Sequence, residues 1–340
     1  CGGGMSLGFA SLQEYFRIIG GVDINSTSLK TYELNYGTPV MNADITTISP
    51  NSNLVQKTFK INKKRPLVVI GCAPCQGFSA HRKKDSDKPE DKRNTLIGYF
   101  SDIAVNLNPD FVVMENVPEI LTGKYKMHYE EAKNVFIQNG YYVVQRVYNA
   151  AGFGVPQARI RAIIVASKYK NFVLPDEMLS VKEYKTVRDA IADLPHVDAR
   201  HQIPMVDRYH RCSTHKQSTI DVIAQVPHDG GSRPKGVGPK CLDKVNGFSD
   251  VYGRLRWDKP SITITQYARN PASGRYSHPE QDRGLTIREV ARLQSFPDGY
   301  LWNGSLGDAF KQIGEAVPPL LALAIATQIA LTIKTQENNE

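Results

Sequence analysis

Two cysteines three positions apart, Cys72 and Cys75, follow directly on a short apolar run, Leu67-Val68-Val69-Ile70. Such a run predicts a buried parallel strand. Pro74 and Gly77 bracket Cys75 and place its thiol on a turn at the strand's C-terminal end, where open α/β sheets keep their chemistry. A second apolar run, Phe111 to Met114, ends in Glu115-Asn116-Val117-Pro118. A third element, Gln157-Ala158-Arg159-Ile160-Arg161, leads into the run Ala162 to Ala166. A thiol, a carboxylate and two guanidiniums thus converge on strand ends. A thiolate beside cationic groups is a competent nucleophile. With a carboxylate to share a proton, the set suits covalent attack on an electron-poor ring.

Each piece alone has a plainer reading. A lone Pro-Cys is more often a structural cysteine, Glu-Asn after a strand can cap a helix, and Gln-x-Arg-x-Arg can be a solvated edge. Cys72 and Cys75 also have the Cys-x-x-Cys spacing of a redox or zinc site. They precede Gln76-Gly77-Phe78 rather than an obvious helix, and Cys212 and Cys241 do not form the second pair that zinc would need. The order and spacing of the three elements are what make the combination specific.

The elements that must position these groups are legible as a βαβ pattern over the first 165 residues. Arg17 to Asp23 reads as a strand ending in a carboxylate, Ser28 to Asn35 as the following helix, and Met41 to Ile45 as a short extended piece. Leu96 to Leu107 predicts an amphipathic helix, Tyr129 to Asn139 another that Gly140 stops, and Tyr141 to Tyr148 a strand. From about Asn171 the pattern is turn-dense. Short helices are expected at 187–194 and 220–226, and strands at 252–257 and 261–266. After Thr286 the chain reads as helical again.

Pro74-Cys75-Gln76, Glu115-Asn116-Val117 and Gln157-Ala158-Arg159-Ile160-Arg161 resemble three signature motifs of the DNA (cytosine-5)-methyltransferase family, of the bacterial restriction-modification type. Arg283 to Glu289 with Arg292 to Pro297, and Gly314 to Pro319, resemble two more. The resemblance runs from about Gly2 to about Ala330. It implies a Rossmann-like S-adenosylmethionine-dependent methyltransferase fold: a mixed, mostly parallel sheet with helices on both faces, plus a small irregular target-recognition domain. The boundaries it suggests are a catalytic and cofactor-binding domain over 1–170, a target-recognition domain over 171–275, a return to the catalytic domain over 276–332 and a tail over 333–340. The family's first motif has a strand and a Phe ahead of its first glycine, the place where Cys1 falls, so residues are expected to precede Cys1.

By the same resemblance, S-adenosylmethionine is the cofactor, S-adenosylhomocysteine the product, and no metal is needed. Gly2, Gly4, Met5 and Ser6 form the glycine-rich opening of the cofactor site. Asp23 accepts the ribose hydroxyls, Ile24 offers an apolar face to the purine, and Asp44 with Ile45 meets its exocyclic amine. Pro74, Leu96 and Val317 line the pocket, with Glu315 near its polar end. For Asp23 the plain alternative is a helix N-cap. In the chemistry, Cys75 adds to C6 of cytosine, Glu115 sits at N3 and the 4-amino group, Arg161 holds O2, Arg159 braces the cysteine loop, and Gln157 belongs to the same catalytic motif. The base must leave the duplex to be reached. The polar, basic segment from Gly77 to Asn94 suits that task, with Gln76, Ser79 and Arg82 toward the DNA.

Composition agrees with a nucleic-acid partner. The 340 residues carry a net charge of +8, and the stretch from Arg161 to Arg283 has 20 Lys and Arg against 14 Asp and Glu, so +6 of that total. Six of the eight histidines lie there too. A basic bias of this kind suits a polyanion. Arg233, Arg254 and Arg256 are the expected base-reading side chains, the alternative for the last two being a solvent-facing strand. Five cysteines fit a reducing compartment, and neither a signal peptide nor a run of membrane-spanning length is visible. The expectation is a monomer acting on double-stranded DNA in the bacterial cytosol, at the nucleoid, with a cognate restriction endonuclease as a partner and no membrane. Two alternatives stand beside it. One is a tRNA cytosine-5 methyltransferase, against which the chain has no Cys-Phe-Thr tripeptide. The other is a silent DNA-binding homologue, against which both Cys75 and Glu115 are present.

Overall fold

The structure is a computed structural model that describes residues 2–72, 95–199, 206–244 and 249–337. The chain divides into two compact units. The first, the sheet unit, takes in residues 5–149, 160–177 and the chain from 321 onward; the second takes in residues up to 4, 150–159 and 178–320.

The sheet unit opens with α1 (Gly4–Ala10), whose first residue belongs to the second unit, then β1 (Gly21–Asp23), α2 (Ser26–Tyr36), β2 (Val40–Asn42) and α3 (Leu54–Thr58). Next come β3 (Val68–Gly71), α4 (Leu96–Asn106), β4 (Phe111–Asn116), α5 (Lys126–Gln138), β5 (Tyr142–Asn149) and β6 (Ile160–Ser167). β1 and β2 pair in parallel, and β3-β4-β6-β5 form a four-stranded sheet. In it β3 and β4 are parallel, while β6 runs antiparallel to both β4 and β5. All six residues of β4 are buried, as expected for a central strand with apolar neighbours on both faces. Val112, Met114, Ala162, Ile164 and Ala166 of β4 and β6 pack with Ile97 and Ala104 of α4 and with Tyr129 and Phe136 of α5.

Local chemistry sets the helix ends. The Asn25 side chain accepts the Ser28 N–H to cap α2, and Gly37 ends that helix at φ +59. Gly140, at φ +84, follows α5 as its sequence position suggests. No single helix among the described residues is long and apolar enough to cross a membrane.

The second unit holds α6 (Val187–Ile191), α7 (Gln217–Ala224), α8 (Ile287–Leu293) and α9 (Leu306–Glu315). α10 (Pro319–Glu337) starts there and runs on into the sheet unit. α6, α8 and α9 each begin with a reciprocal capping box, Thr186/Asp189, Thr286/Glu289 and Ser305/Asp308. The strands expected at 252–257 and 261–266 do not form. The described residues there have only isolated bridges, such as Arg254 with Ser277 and Gln157 with Ser261. Two arginines do the work that a ladder would do. Arg254 donates to the carbonyls of Ile223, Val226, His278 and Gln281. Arg275 donates to those of Gly230, Gly231 and Arg254. Buried carbonyls need donors, and a guanidinium fork can serve several at once.

A buried charge cluster anchors α8. Arg283 and Glu289, each 1% exposed, form a bidentate pair with contacts of 2.9 and 2.7 Å. Burial opposes the Glu289 carboxylate, but Arg283 wins and its acid is pulled down to about 2. His278 lies 3.9 Å from Glu289, and its Nδ1 accepts the N–H groups of Glu280 and Gln281. Burial, more than any neighbouring charge, pushes its imidazole down to about 4.

A pH dependence follows from His278. The unfolded chain takes up a proton as pH falls through the ordinary 6.5, while folded His278 resists until about 4. Stability present at neutral pH is therefore lost across that window, by up to about 3 kcal/mol. Glu289 adds to the loss only below about 4.5. Urea denaturation of wild type and His278→Gln at pH 7 and pH 5 measures this: the variant should lose clearly less stability on acidification. Equal losses in both proteins would remove His278 as the cause.

Candidate active site

The parallel strands β3 and β4 end on the same side of the sheet, β3 two residues before β4. Gly71 pairs with Met114, so the chain leaves β3 toward Cys72 one residue short of the level of Glu115. Glu115 is 8% exposed and Asn116 is 3% exposed. Glu115 pairs across the sheet with Ile163, and Arg161, two residues before Ile163, shares its face of β6. Arg161 is thus the diagonal neighbour of Glu115, within reach of a long side chain. Its Nε meets a Glu115 carboxylate oxygen at 2.8 Å, and Nη1 donates to the Ile160 carbonyl at 2.7 Å. The antiparallel direction of β6 creates this pair, a direction the apolar run alone did not reveal.

Two other acids expected at the cofactor end lie in the same unit. Asp23 ends β1 and accepts the Asn25 N–H at 2.9 Å. It does not cap α2, because Asn25 does. Ile24 is 67% exposed, an apolar side chain held in the open beside that carboxylate. Asp44 accepts the backbone N–H and then the hydroxyl of Thr46, which together hold its carboxyl below the usual range. Ile45 opens the single turn that Asp44 caps, and Leu96 opens α4. Met5 and Ser6 are buried in α1, and the Ser6 hydroxyl bonds the Tyr32 hydroxyl at 2.8 Å. Burial drives the Tyr32 phenol up to about 12.

The remaining expected residues belong to the second unit. Gly2 and Gly4 are required by packing: a Cβ would stand 2.8 Å from the Trp302 ring at Gly2 and 2.2 Å from the Val317 carbonyl at Gly4. Glu315 is the last residue of α9, and Val317 is 2% exposed. Arg159, 3% exposed, donates to the carbonyls of Ile264, Gly314 and Ala316. Gln157 is fully buried. Its amide donates to Leu293 O and to the Gln294 side chain and accepts the Ile264 N–H. Gln294 in turn donates to Ile313 O and Ala316 O. The Gln157 amide is therefore engaged internally. Gln294 is its partner in fixing the chain around Gly314 to Ala316.

Two of the three expected base readers are engaged inside the protein. Arg254 is 0% exposed and fully occupied by four carbonyls and Asp282, so it neither reads a base nor faces solvent on a strand. Its alternation with Leu255 suggested a half-exposed strand, but the guanidinium points inward. The Arg233 guanidinium donates to Pro234 O, Val237 O and Asp243. Arg256 is exposed. Pro74, Cys75, Gln76, Ser79 and Arg82 lie outside the described residues, as does the loop that Arg159 was expected to brace.

A model of the C-5 cytosine-specific DNA methylase family matches residues 1–331. The chain belongs to that family. It is a DNA cytosine-5 methyltransferase with the fold of S-adenosylmethionine-dependent methyltransferases. It is 36% identical to the type II methyltransferase M1.HphI of Haemophilus parahaemolyticus, over 98% of this chain and 86% of that protein. It is 32% identical to the type II methylase M.HgiDII of Herpetosiphon aurantiacus, over 97% of this chain and 93% of that one. Among solved structures it is similar to a prophage-encoded E. coli protein assigned as a DNA modification methyltransferase. That likeness has a TM-score of 0.73 at 23% identity and covers 97% of this chain and 96% of that one; it speaks to the fold.

Within the methyltransferase, the Glu115–Arg161 pair should behave as a mostly buried ion pair. Arg161→Met leaves a carboxylate without its counter-charge and should cost about 3 kcal/mol. Adding Glu115→Gln should recover more than half of that loss. Denaturant titration of the three variants measures the coupling, and additive losses would mean that the two side chains do not depend on each other.

Proposed function

We propose that this methyltransferase modifies C5 of a flipped-out cytosine in a specific duplex sequence through a covalent Cys75–C6 adduct. The observation that carries the reading is Glu115 held by Arg161 at the strand edge toward which β3 delivers Cys72. C5 of cytosine is a poor nucleophile. Addition of the Cys75 thiolate at C6 moves the ring's electron pair to C5. Glu115 shares a proton with N3 and the 4-amino group as charge builds there, and Arg161 holds O2. S-adenosylmethionine, when bound, supplies the electrophilic methyl group. Loss of the C5 proton to water then restores the double bond and expels the Cys75 thiolate. The base has to leave the helix for these contacts to form.

The residues at the cofactor end fit S-adenosylmethionine. Asp23 is a carboxylate at a strand end that can accept ribose hydroxyls. Ile24 is an exposed apolar face for a purine, and Asp44 is a carboxylate kept ionised for an exocyclic amine. Gly2, Gly4, Met5, Ser6, Ile45, Pro74, Leu96, Glu315 and Val317 complete the proposed set. The insert 171–275 is the proposed target reader, with Arg256 its accessible guanidinium, and Gln76, Ser79 and Arg82 reach the DNA from the cysteine loop. The type II relatives support double-stranded DNA over tRNA as substrate, with a cognate restriction endonuclease, a monomeric enzyme and a bacterial cytosolic setting as parts of the same reading.

Tritium transfer from labelled S-adenosylmethionine tests the substrate: duplex DNA should be labelled and tRNA should not. Labelling of tRNA alone would overturn the reading. Asp23→Ala should weaken S-adenosylmethionine binding about tenfold or more, since charge-assisted bonds worth ~1.5–3 kcal/mol are lost. Calorimetric titration with unchanged affinity would take Asp23 out of the cofactor site.

A further inference from the structure

A recess of about 340 Å³ opens at the edge of the sheet opposite the Glu115–Arg161 pair. Its walls come from the residues just before β3, from those just before β4, and from Lys168 just after β6. The topology brings these together. Phe111 at the start of β4 pairs with Ser167 at the end of antiparallel β6, so Lys168 emerges where the parallel strands begin. Glu115 lies five residues further along β4 from Asp110, roughly 16 Å at strand spacing.

Lys63, Lys64, Arg65 and Lys168 line the recess against one carboxylate, Asp110. That carboxylate is committed: one oxygen accepts the Leu67 N–H at 2.8 Å and the other faces the Tyr169 hydroxyl at 3.4 Å. Lys168 donates to Asn108 O at 3.0 Å and is fixed in place. Lys63, Lys64 and Arg65 have no ion pair among the described residues. They close a stretch, Lys57 to Arg65, with five cations and no acid. Four cations against the single Asp110 carboxylate leave the recess a net charge of +3, and its exposed Lys63, Lys64 and Arg65 side chains repel each other and are relieved by an anion. Lys and Arg are the side chains that neutralise backbone phosphates.

We propose that this recess is a second phosphate-binding site, which takes backbone phosphates of a duplex segment other than the one presented to Glu115. One segment lying across the catalytic edge of the sheet leaves the opposite edge uncovered, so the recess engages flanking DNA of the same duplex. The inference uses only the DNA substrate of the family. It does not depend on the covalent mechanism.

The test compares full-length wild type with Lys63→Ala/Lys64→Ala/Arg65→Ala, and with Lys64→Glu as a milder second variant. The probe is a random-sequence pool of 60-bp duplexes, bound at a series of salt concentrations. Each phosphate contact contributes about 0.9 to the slope of log affinity against log salt. The triple variant should lose roughly 2–3 from that slope and Lys64→Glu about 1. Tritium transfer to the same pool at saturating DNA should be unchanged in both. An unchanged slope in the triple variant overturns the proposal. So does pyrophosphate that raises the wild-type melting temperature but not the variant's while the DNA slope stays the same, since the site would then serve a small anion. Failure of wild type to label any DNA would count against the methyl-transfer reading, while the slopes would still decide the recess.

Discussion

A carboxylate at the end of the most buried strand is the constraint around which the sheet unit is arranged. Burying a charge costs several kcal/mol unless a counter-charge and hydrogen bonds meet it. β4 is apolar until Met114, and the next residue, Glu115, is 92% shielded. The antiparallel return of β6 resolves the conflict, because its register puts Arg161 diagonally opposite. A slip of one residue would turn Arg161 to the other face of the sheet and strand both charges. The β5–β6 connection, residues 150–159, belongs to the second unit, so the register that pairs Glu115 also fixes where the chain leaves the sheet unit and returns.

The second unit solves a different problem with related means. It has little regular structure to satisfy its backbone, and arginines supply the donors. Arg254 and Arg275 bind carbonyls in place of strand ladders, Arg159 does so around Gly314 to Ala316, and Arg283 neutralises Glu289 under α8. Part of the positive charge that suggested a polyanion partner is therefore internal. The basic bias of 161–283 remains, but the arginines available to DNA are fewer than the composition implies.

The strands and helices that carry the motifs were legible because their signals are local: branched apolar runs for β3, β4 and β6, and periodicity with capping for α2, α4 and α5. The direction of β6 was not, since an apolar run has no polarity along the sheet. Arg254 was misread for a related reason. Alternating Arg-Leu-Arg has the period of a half-buried strand, and nothing local marks one arginine as internal while the other faces out. Gly2 and Gly4 look like a ligand loop, yet their own packing against Trp302 and the Val317 carbonyl already demands them. The basic recess was invisible as a site because its cations come from segments more than a hundred residues apart, at the strand edge away from the motifs.

The covalent step at Cys75 is the centre of the account, and a mechanism-based trap reads it directly. In a duplex pool with 5-fluorocytosine in place of cytosine, fluorine blocks loss of the C5 substituent, so an adduct that forms and is methylated cannot be released. Incubation with S-adenosylmethionine followed by denaturing electrophoresis should show protein joined to DNA for wild type and for Cys72→Ser, and none for Cys75→Ser. A denaturant-stable complex that survives in Cys75→Ser and disappears in Cys72→Ser would contradict the account. So would a wild type that transfers tritium to DNA yet leaves no complex on the fluorinated duplex.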